Sequence, residues 1–219
     1  MIDWGDIDTV LLDMDGTLLD LRFDNYFWGE YLPRIYARHH SISESRSSLH
    51  LMKSFSSERG TLQWYCLDHW SERLNMDIPA LKHKVRHLVR IRPYVMAFLR
   101  SLHSAPQKVL LVTNAHRKTL DIKLEQVDIA PWFDDIIVSH DLQAPKEQEA
   151  FWERLHRLHP FDPERTLLID DTETVLESAH RFGIAHLLTL LQPDSGEQKR
   201  IQTRFPGIHH FDEIMPGTS

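Results

Sequence analysis

The sequence predicts an α/β fold, built on a parallel β-sheet with a helical segment inserted after the first strand. Two observations favour this fold. From residue 93 onward, short apolar runs typical of strands alternate with stretches of helical periodicity, a pattern that implies a parallel sheet covered by helices on both faces. Residues 20–92 instead show helical periodicity. We therefore expect a discontinuous core, residues 1–19 and 93–219, and a separate helical unit, residues 20–92.

The first predicted strand, Val10–Leu12, is followed at once by two carboxylates, Asp13 and Asp15, and by Gly16, which breaks the apolar pattern. Ligands bind at the carboxyl ends of strands in open α/β sheets. Strand residues two apart share a face, so we expect both acids at one edge, where they could hold a cation and a phosphate. The same residues also suit a turn or a calcium loop. Asp24 stands at the twelfth position, where a calcium loop requires Glu, which disfavours that alternative.

Residues 20–92, the inserted segment, are predicted to form several helices. The last of these helices, Leu81–Arg92, is predicted to carry Lys82 and other basic side chains on a solvated face, opposite an apolar face. The aromatic residues of this segment are interpreted as packing in a small helical core. The predicted stretches are helices at Asn25–His40, Leu62–Leu74 and Leu81–Arg92, and a Ser-rich loop at Ser41–Ser57 that leads into a further helix.

The remainder of the chain continues the core. Leu167–Ile169 is a strand-like run that ends in Asp170 and Asp171, so carboxylates again follow a strand. The other predicted strands are Val109–Thr113, Ile136–Ser139 and His186–Leu190, and helical faces lie between them within residues 95–102, 120–127, 151–158 and 175–182.

Composition narrows the function classes. The net charge of −7 disfavours a nucleic-acid polymer as partner. No apolar run is long enough for a membrane span and no leader-like amino terminus is present, so we expect a cytoplasmic protein. Cys66 is the only cysteine, so an internal disulfide is excluded. We interpret Cys66 as a small buried residue rather than a nucleophile. The fifteen histidines match no zinc-ligand spacing, so no structural zinc is expected. The oligomeric state is not indicated.

Four segments resemble, in the same order, the motifs of the haloacid dehalogenase-like superfamily of phosphohydrolases. They are DMDGT at 13–17, LLVTN at 110–114, Lys146 within APKE at 144–147, and LLIDD at 167–171. The resemblance implies a Rossmann-like core, and it implies that the inserted segment is a cap that closes over the active site and excludes bulk water. Dehalogenases of the superfamily generally lack the second acid, so Asp15 favours phosphoryl transfer.

The resemblance also implies a role for each matched residue. Asp13 would be the nucleophile that forms an aspartyl-phosphate, and Asp15 the acid that protonates the leaving alkoxide and later activates water. Phosphate oxygens would be bound by Thr113, the backbone of Asn114, and Lys146. The implied cofactor is Mg²⁺, held by Asp13, the backbone carbonyl of Asp15, and Asp171, with Asp170 assisting through water.

Further segments, including FDNYFW, WYCLD and PDSG, resemble bacterial 5′-nucleotidases that act on GMP and IMP. This implies a small-molecule phosphate monoester as substrate, namely a purine nucleoside 5′-monophosphate. Candidate contacts to the base or ribose are Arg22, Asn25, Tyr26 and Trp64. Two alternatives stay open: a sugar-phosphate phosphatase or phosphomutase on the same scaffold, and a non-catalytic binding protein. The complete set of matched residues disfavours the second, because binding alone does not require it.

Overall fold

The computed structural model describes residues 2–216 and contains a six-stranded parallel sheet. Its order is β3-β2-β1-β4-β5-β6, and every neighbouring pair is parallel. The predicted α/β class is confirmed, and β6 is a short addition that the sequence pattern did not indicate. The strands are β1 Thr9–Leu12, β2 Lys108–Thr113, β3 Asp135–Val138, β4 Thr166–Ile169, β5 His186–Leu190 and β6 Gly207–Ile208.

The central strand β1 sets the position of the carboxyl edge. Leu12 is in register with Leu111 of β2 and Ile169 of β4, so the three strands end nearly level. The pairing continues one residue further, because the Asp13 amide donates to the Ile169 carbonyl at 3.0 Å. The residues that follow β1, β2 and β4 therefore emerge side by side at one edge of the sheet.

The described residues form ten α-helices. They are α1 Arg22–Tyr26, α2 Leu32–His40, α3 Glu44–Ser56, α4 Leu62–Tyr65, α5 Leu67–Leu74, α6 Ile78–Lys84, α7 Val95–His103, α8 Arg117–Leu124, α9 Glu149–Leu158 and α10 Glu173–Phe182.

Alternate side chains of β1 serve different layers, as the two-residue period of a strand requires. Val10 and Leu12 pack into a cluster that includes Phe23 and Trp70 of the inserted segment. Leu11 faces a second cluster, formed with the helices on the opposite side, which includes Trp152. The apolar β1 run is thus buried on both faces, and one layer is continuous with the inserted helices.

The inserted segment is helical, with corrections to the predicted bounds. The first predicted helix begins earlier, at Arg22, and passes through a π-helical turn at Phe27–Tyr31. The second is divided at Cys66, whose backbone is extended (φ −81°, ψ 112°). The two ends of the segment run side by side, since the Asp20 amide donates to the Arg90 carbonyl at 2.9 Å. The division into core and cap stays a prediction.

The predicted helix over Leu81–Arg92 is wrong. The helix α6 spans Ile78–Lys84 and one 3₁₀ turn follows it. It begins earlier because the Asp77 carboxylate caps it, accepting from the Ala80 amide at 2.9 Å, and a proline is tolerated in the first helical turn. Beyond it, Ile91 forms an antiparallel bridge with Leu19 instead of continuing the helix.

The expectation that Lys82 lies on a solvated face is also wrong. Its residue surface is only 2% exposed, and its ammonium donates to Asp24 at 2.7 Å. With α6 starting at Ile78, Lys82 is four residues from Ile78 and lies on the buried face. Burial lowers the pKa of Lys82, and the Asp24 carboxylate opposes that shift.

Within residues 2–216, none of the helices combines the length and apolarity needed to cross a lipid bilayer.

Replacing Lys82 by Met should destabilise the protein by about 3 kcal/mol, because one partner of a buried ion pair is removed. Lys84 lies on the same helix but is exposed, so Lys84→Met provides a matched control with little expected effect. Chemical denaturation monitored by circular dichroism measures both. Equal stability of the two variants would show that the Lys82 pair contributes nothing to folding.

Candidate active site

One cavity of about 760 Å³ opens at the carboxyl edge of the sheet. Its volume is within the range typical of small-molecule sites. The structure brings all seven matched core residues to its wall: Asp13, Asp15, Thr113, Asn114, Lys146, Asp170 and Asp171.

A tight turn after β1, rather than the strand itself, delivers Asp15. The strand ends at Leu12, and Gly16 takes a left-handed conformation (φ 85°) that suits glycine. A Cβ at Gly16 would lie 2.6 Å from the Asp171 carboxyl carbon, so glycine also allows the turn to approach that acid. Asp13 and Asp15 do lie at one edge of the sheet, as expected, but the expected reason, strand alternation, was wrong. Asp170 and Asp171 likewise lie beyond the end of β4, so the side-chain alternation of a regular strand does not apply to them.

Lys146 forms the positive centre of the site. Its ammonium donates to Asp13 at 2.5 Å, to Asp170 at 2.6 Å and to the Val112 carbonyl at 3.0 Å. The residue is 1% exposed, so it is not a solvated surface lysine. Burial alone would lower the pKa of Lys146, but the two carboxylates outweigh it and raise that pKa. The ammonium is therefore a fixed charge at neutral pH.

Asn114 positions Lys146 and links it to the inserted segment. Its side-chain oxygen accepts from the Lys146 amide at 2.9 Å, and its side-chain nitrogen donates to Glu147 at 3.0 Å. Glu147 also accepts from the Tyr65 hydroxyl at 2.5 Å. The Thr113 hydroxyl accepts from the Ala115 amide at 3.0 Å, which satisfies local backbone and leaves the hydroxyl proton to donate elsewhere.

The acidic cluster, Asp13 with Asp170 and Asp171, carries more negative charge than Lys146 balances. One oxygen from each of the three lies within 4.8 Å of the others. Burial raises the pKa of Asp171 well above its usual range, and Asp13 and Asp170 add to the shift. Asp13 Oδ2 is buried and has no hydrogen-bond partner among the described residues. Such a cluster of hard oxygen ligands is suited to a divalent cation.

The two adjacent acids differ in their surroundings. Asp170 is occupied on both oxygens, by Lys146 and by the Thr172 amide at 2.9 Å. The Asp171 carboxylate accepts only a long hydrogen bond of 3.3 Å from the Thr172 hydroxyl, and an Arg200 nitrogen lies 3.9 Å from it. Asp171 is therefore the more available of the two for a cation.

Asp15 belongs to a second buried ion network. Lys123 of α8 donates to both Asp15 and Asp24, and Asp24 also pairs with Lys82. Burial raises the pKa of Asp15 to about 6, although Lys123 lowers it. For Asp24, burial is outweighed by Lys123 and Lys82, which together lower its pKa to about 2. Asp15 can thus exchange a proton near neutral pH, while Asp24 stays ionised.

The inserted segment supplies the aromatic part of the cavity wall. Asn25 and Trp64, two of the predicted selecting residues, line the cavity, and Asn25 donates to Asp194 at 2.7 Å. The other two are not part of the lining: Arg22 is exposed and pairs with Glu30 at 3.6 Å, and the Tyr26 hydroxyl accepts from Arg34 at 3.1 Å. The aromatic lining consists of Trp28, Phe55, Trp64, Tyr65 and Trp70.

Sequence reasoning missed Lys123, Asp24 and Glu147 as members of the site. A signal existed for Lys123, because it follows Leu120 by three residues and precedes Val127 by four, which puts it near the apolar face of α8. A lysine at such a position requires an acidic partner. Glu147 had no comparable signal, since its partners come from two distant segments.

The chain is similar to known hydrolases over most of its length. A model of the haloacid dehalogenase-like hydrolase family matches residues 10–189. The chain is 36% identical over 215 residues to the GMP/IMP nucleotidase YrfG of Escherichia coli strain K12, which covers 98% of this chain and 97% of that protein.

Solved structures show the same fold. A HAD phosphatase from Thermococcus onnurineus superposes with a TM-score of 0.75 at 20% identity, covering 95% of this chain and 96% of that one. The putative HAD-hydrolase YfnB from Bacillus subtilis, bound to magnesium, gives 0.64 at 20% identity with the same coverage. The extent of the family match and the identity to the nucleotidase together place this chain in the haloacid dehalogenase-like hydrolase family, as one of its phosphatases.

Proposed function

We propose that this phosphatase depends on Mg²⁺ and hydrolyses purine nucleoside 5′-monophosphates, such as GMP and IMP, through an aspartyl-phosphate intermediate. One observation carries the proposal: a single cavity joins an acidic floor containing Asp13 and Lys146 to a wall of aromatic side chains that includes Trp64. The floor suits a phosphate with its cation, and the wall suits a planar base. The identity to the GMP/IMP nucleotidase adds support.

The residues at the floor fit Mg²⁺. The acidic cluster has surplus negative charge, and Asp13 Oδ2 is buried without a partner among the residues described. Asp13, the backbone carbonyl of Asp15, and Asp171 would hold the ion, with Asp170 assisting through water. When bound, Mg²⁺ supplies positive charge that offsets the repulsion between the acidic cluster and a phosphate.

In the first step, Asp13 attacks phosphorus in line with the ester bond. An O–P bond forms to Asp13 as the ester P–O bond breaks, and its electron pair leaves on the ester oxygen. Asp15 donates a proton to that oxygen, which its pKa of about 6 permits. The Thr113 hydroxyl donates to a phosphate oxygen, and the Lys146 ammonium, whose three donors contact Asp13, Asp170 and Val112, stabilises the phosphate through its charge.

In the second step, water hydrolyses the aspartyl-phosphate. Asp15, now ionised, accepts a proton from the attacking water, and the O–P bond to Asp13 breaks, so phosphate leaves and the carboxylate is restored. Lys123 would hold Asp15 in place through both steps, since it donates to that carboxylate in the structure. The net reaction consumes one water and releases an alcohol and phosphate.

A substrate screen with Mg²⁺ tests the proposed class. Purine nucleoside 5′-monophosphates should be hydrolysed with the highest kcat/KM, ahead of sugar phosphates and p-nitrophenyl phosphate. Turnover of sugar phosphates alone would reject the nucleotidase proposal. In ¹⁸O-labelled water the released phosphate should carry the label, whereas a phosphomutase returns the phosphoryl group to its intermediate.

The Trp64→Ala variant makes this screen specific for the aromatic wall. Loss of one stacking surface should lower kcat/KM for GMP by about tenfold or more, with a smaller effect on p-nitrophenyl phosphate. Trp132 is half-buried and lies outside the cavity lining, so Trp132→Ala is the matched control. Equal losses on both substrates would exclude base recognition by Trp64.

Asp13→Asn should reduce turnover by roughly 10³-fold or more, because an amide cannot act as the nucleophile. The fold should be retained, since Lys146 keeps its contact with Asp170. Phosphate release and denaturation curves are measured together, with the exposed Asp128→Asn as control. A folded Asp13→Asn enzyme with near-normal phosphate release would reject the aspartyl-phosphate mechanism.

Asp171→Asn should stabilise the metal-free protein and remove its response to Mg²⁺. Because the fold raises the pKa of Asp171, the native state binds more protons than the unfolded state, and metal-free stability falls as pH rises. Mg²⁺ requires the ionised carboxylates, so its stabilising effect should grow over the same rise in pH.

Thermal unfolding in EDTA and in Mg²⁺, across a pH series, measures both effects, with Asp128→Asn again as control. An Mg²⁺-dependent increase in Tm that survives Asp171→Asn would move the ion to other ligands.

A further inference from the structure

A second group of metal-ligating side chains lies between the inserted segment and the core. Cys66, His116 and His140 each offer one ligand atom, and these three atoms all lie within 4.8 Å of one another. None of them belongs to the acidic cluster. We propose that Cys66, His116 and His140 form a binding site for a zinc-class divalent transition-metal ion, which joins the inserted segment to the sheet edge.

The three side chains are presented by fixed elements. Cys66 is the residue between α4 and α5, and its sulfur accepts from the His69 amide at 3.4 Å. His116 precedes α8, and His140 follows β3. A thiolate is the form of cysteine that binds metal.

The histidine nitrogens are free to act as ligands. His116 Nδ1 and both ring nitrogens of His140 are buried and have no hydrogen-bond partner of good geometry among the described residues, although the Leu62 backbone lies near enough to His140 to act on its pKa. Other histidines also carry one unpaired buried ring nitrogen, but within the described residues His140 alone does so on both nitrogens. The rings of His116 and His140 lie edge to face, with centroids 4.9 Å apart.

The Asp68 carboxylate lies near His116, with one oxygen 3.9 Å from its Nε2. A small shift of Asp68 would bring that oxygen to hydrogen-bond distance and leave Nδ1 for the ion, as in carboxylate–histidine–metal triads. Lys118 pairs with the other Asp68 oxygen, which fixes the carboxylate.

The protonation state of both rings suits coordination. Burial lowers the pKa of His116 and also the pKa of His140, where the neighbouring His116 adds to the shift. The Leu62 carbonyl and the nearby acids oppose the shift at His140 without cancelling it. Both imidazoles are thus neutral at physiological pH, with a lone pair available on each ring.

The ligand set distinguishes this site from the acidic cluster. Sulfur and imidazole nitrogen favour zinc-class ions, whereas carboxylate oxygens favour Mg²⁺. In a tetrahedral zinc site the ligand atoms are about 3.4–3.6 Å apart. Side-chain rotations that bring the three ligand atoms closer together by about 1 Å would give this spacing. The fourth ligand position would be left for water.

An ion here would act on the cavity wall without entering the reaction. Cys66 directly follows Tyr65, and His116 follows Asn114 by two residues; both neighbours line the cavity. The ion would therefore hold the Tyr65 end of the inserted segment against the sheet edge. This inference is independent of the proposed substrate.

The test is titration of the full-length, metal-free protein with Co²⁺, in excess Mg²⁺. Because Cys66 is the only cysteine, a thiolate-to-cobalt charge-transfer band reports this site alone. We expect one equivalent of Co²⁺ with that band and with the visible spectrum of tetrahedral cobalt, displaced by Zn²⁺.

Cys66→Ser should abolish the band, and His116→Asn and His140→Asn should each weaken binding by roughly 100-fold or more. His39→Asn, an exposed histidine of α2, is the matched control and should bind normally. Zn²⁺ should also protect Cys66 of the unmutated protein from alkylation, a readout that requires no variant to fold.

Absence of the thiolate band, or a band that persists in both histidine variants, would overturn the proposal. Binding of Co²⁺ that Mg²⁺ displaces would assign the ion to the acidic cluster instead. In either case the contact between the two histidine rings is packing alone.

Discussion

The structure depends on how buried carboxylates are balanced at the carboxyl edge of the sheet. Three acids of the cluster lie beside a single ammonium, that of Lys146, which contacts Asp13 and Asp170 directly. Charges so far from water interact strongly, and an unbalanced one is costly. Lys146 does not contact Asp171, and burial and the neighbouring acids raise the pKa of that residue. The fold thus keeps an acidic cluster that is suited to a cation.

Much of this arrangement follows from local sequence. The apolar runs before Asp13 and Asp170 predict strands because a two-sided sheet buries every residue of such a run, and β1 and β4 are buried throughout. Parallel pairing then brings the strand ends together. The helices of the core were predictable because each buries one face, which gives its apolar residues a 3.6-residue period. What identified Lys146 was the order of the four motifs, not any property of its own neighbourhood.

The errors share a physical cause, namely pairings between residues distant in sequence. Lys82 was assigned to a solvated face because it shares helical spacing with Arg86 and Arg90, but α6 ends at Lys84, before either arginine. Its partner Asp24 lies far away, so no local pattern could indicate a buried pair. The proximity of Cys66 and His116 has the same basis, because spacing rules for zinc sites describe ligands close in sequence, whereas these residues meet only through the fold.

The two ion networks also connect the proposed chemistry to the inserted segment. Lys123 donates at once to Asp15, the proposed acid and base, and to Asp24 of α1. When Asp15 is protonated, Lys123 loses one of its two carboxylate partners and interacts more strongly with Asp24, which stays ionised because its pKa is about 2. When Asp15 is ionised, the ammonium is shared. The charge of Asp15 and the ion pair that holds α1 are therefore coupled through one buried side chain. In the proposed reaction, each proton transfer to or from Asp15 would change the ion pairing of α1.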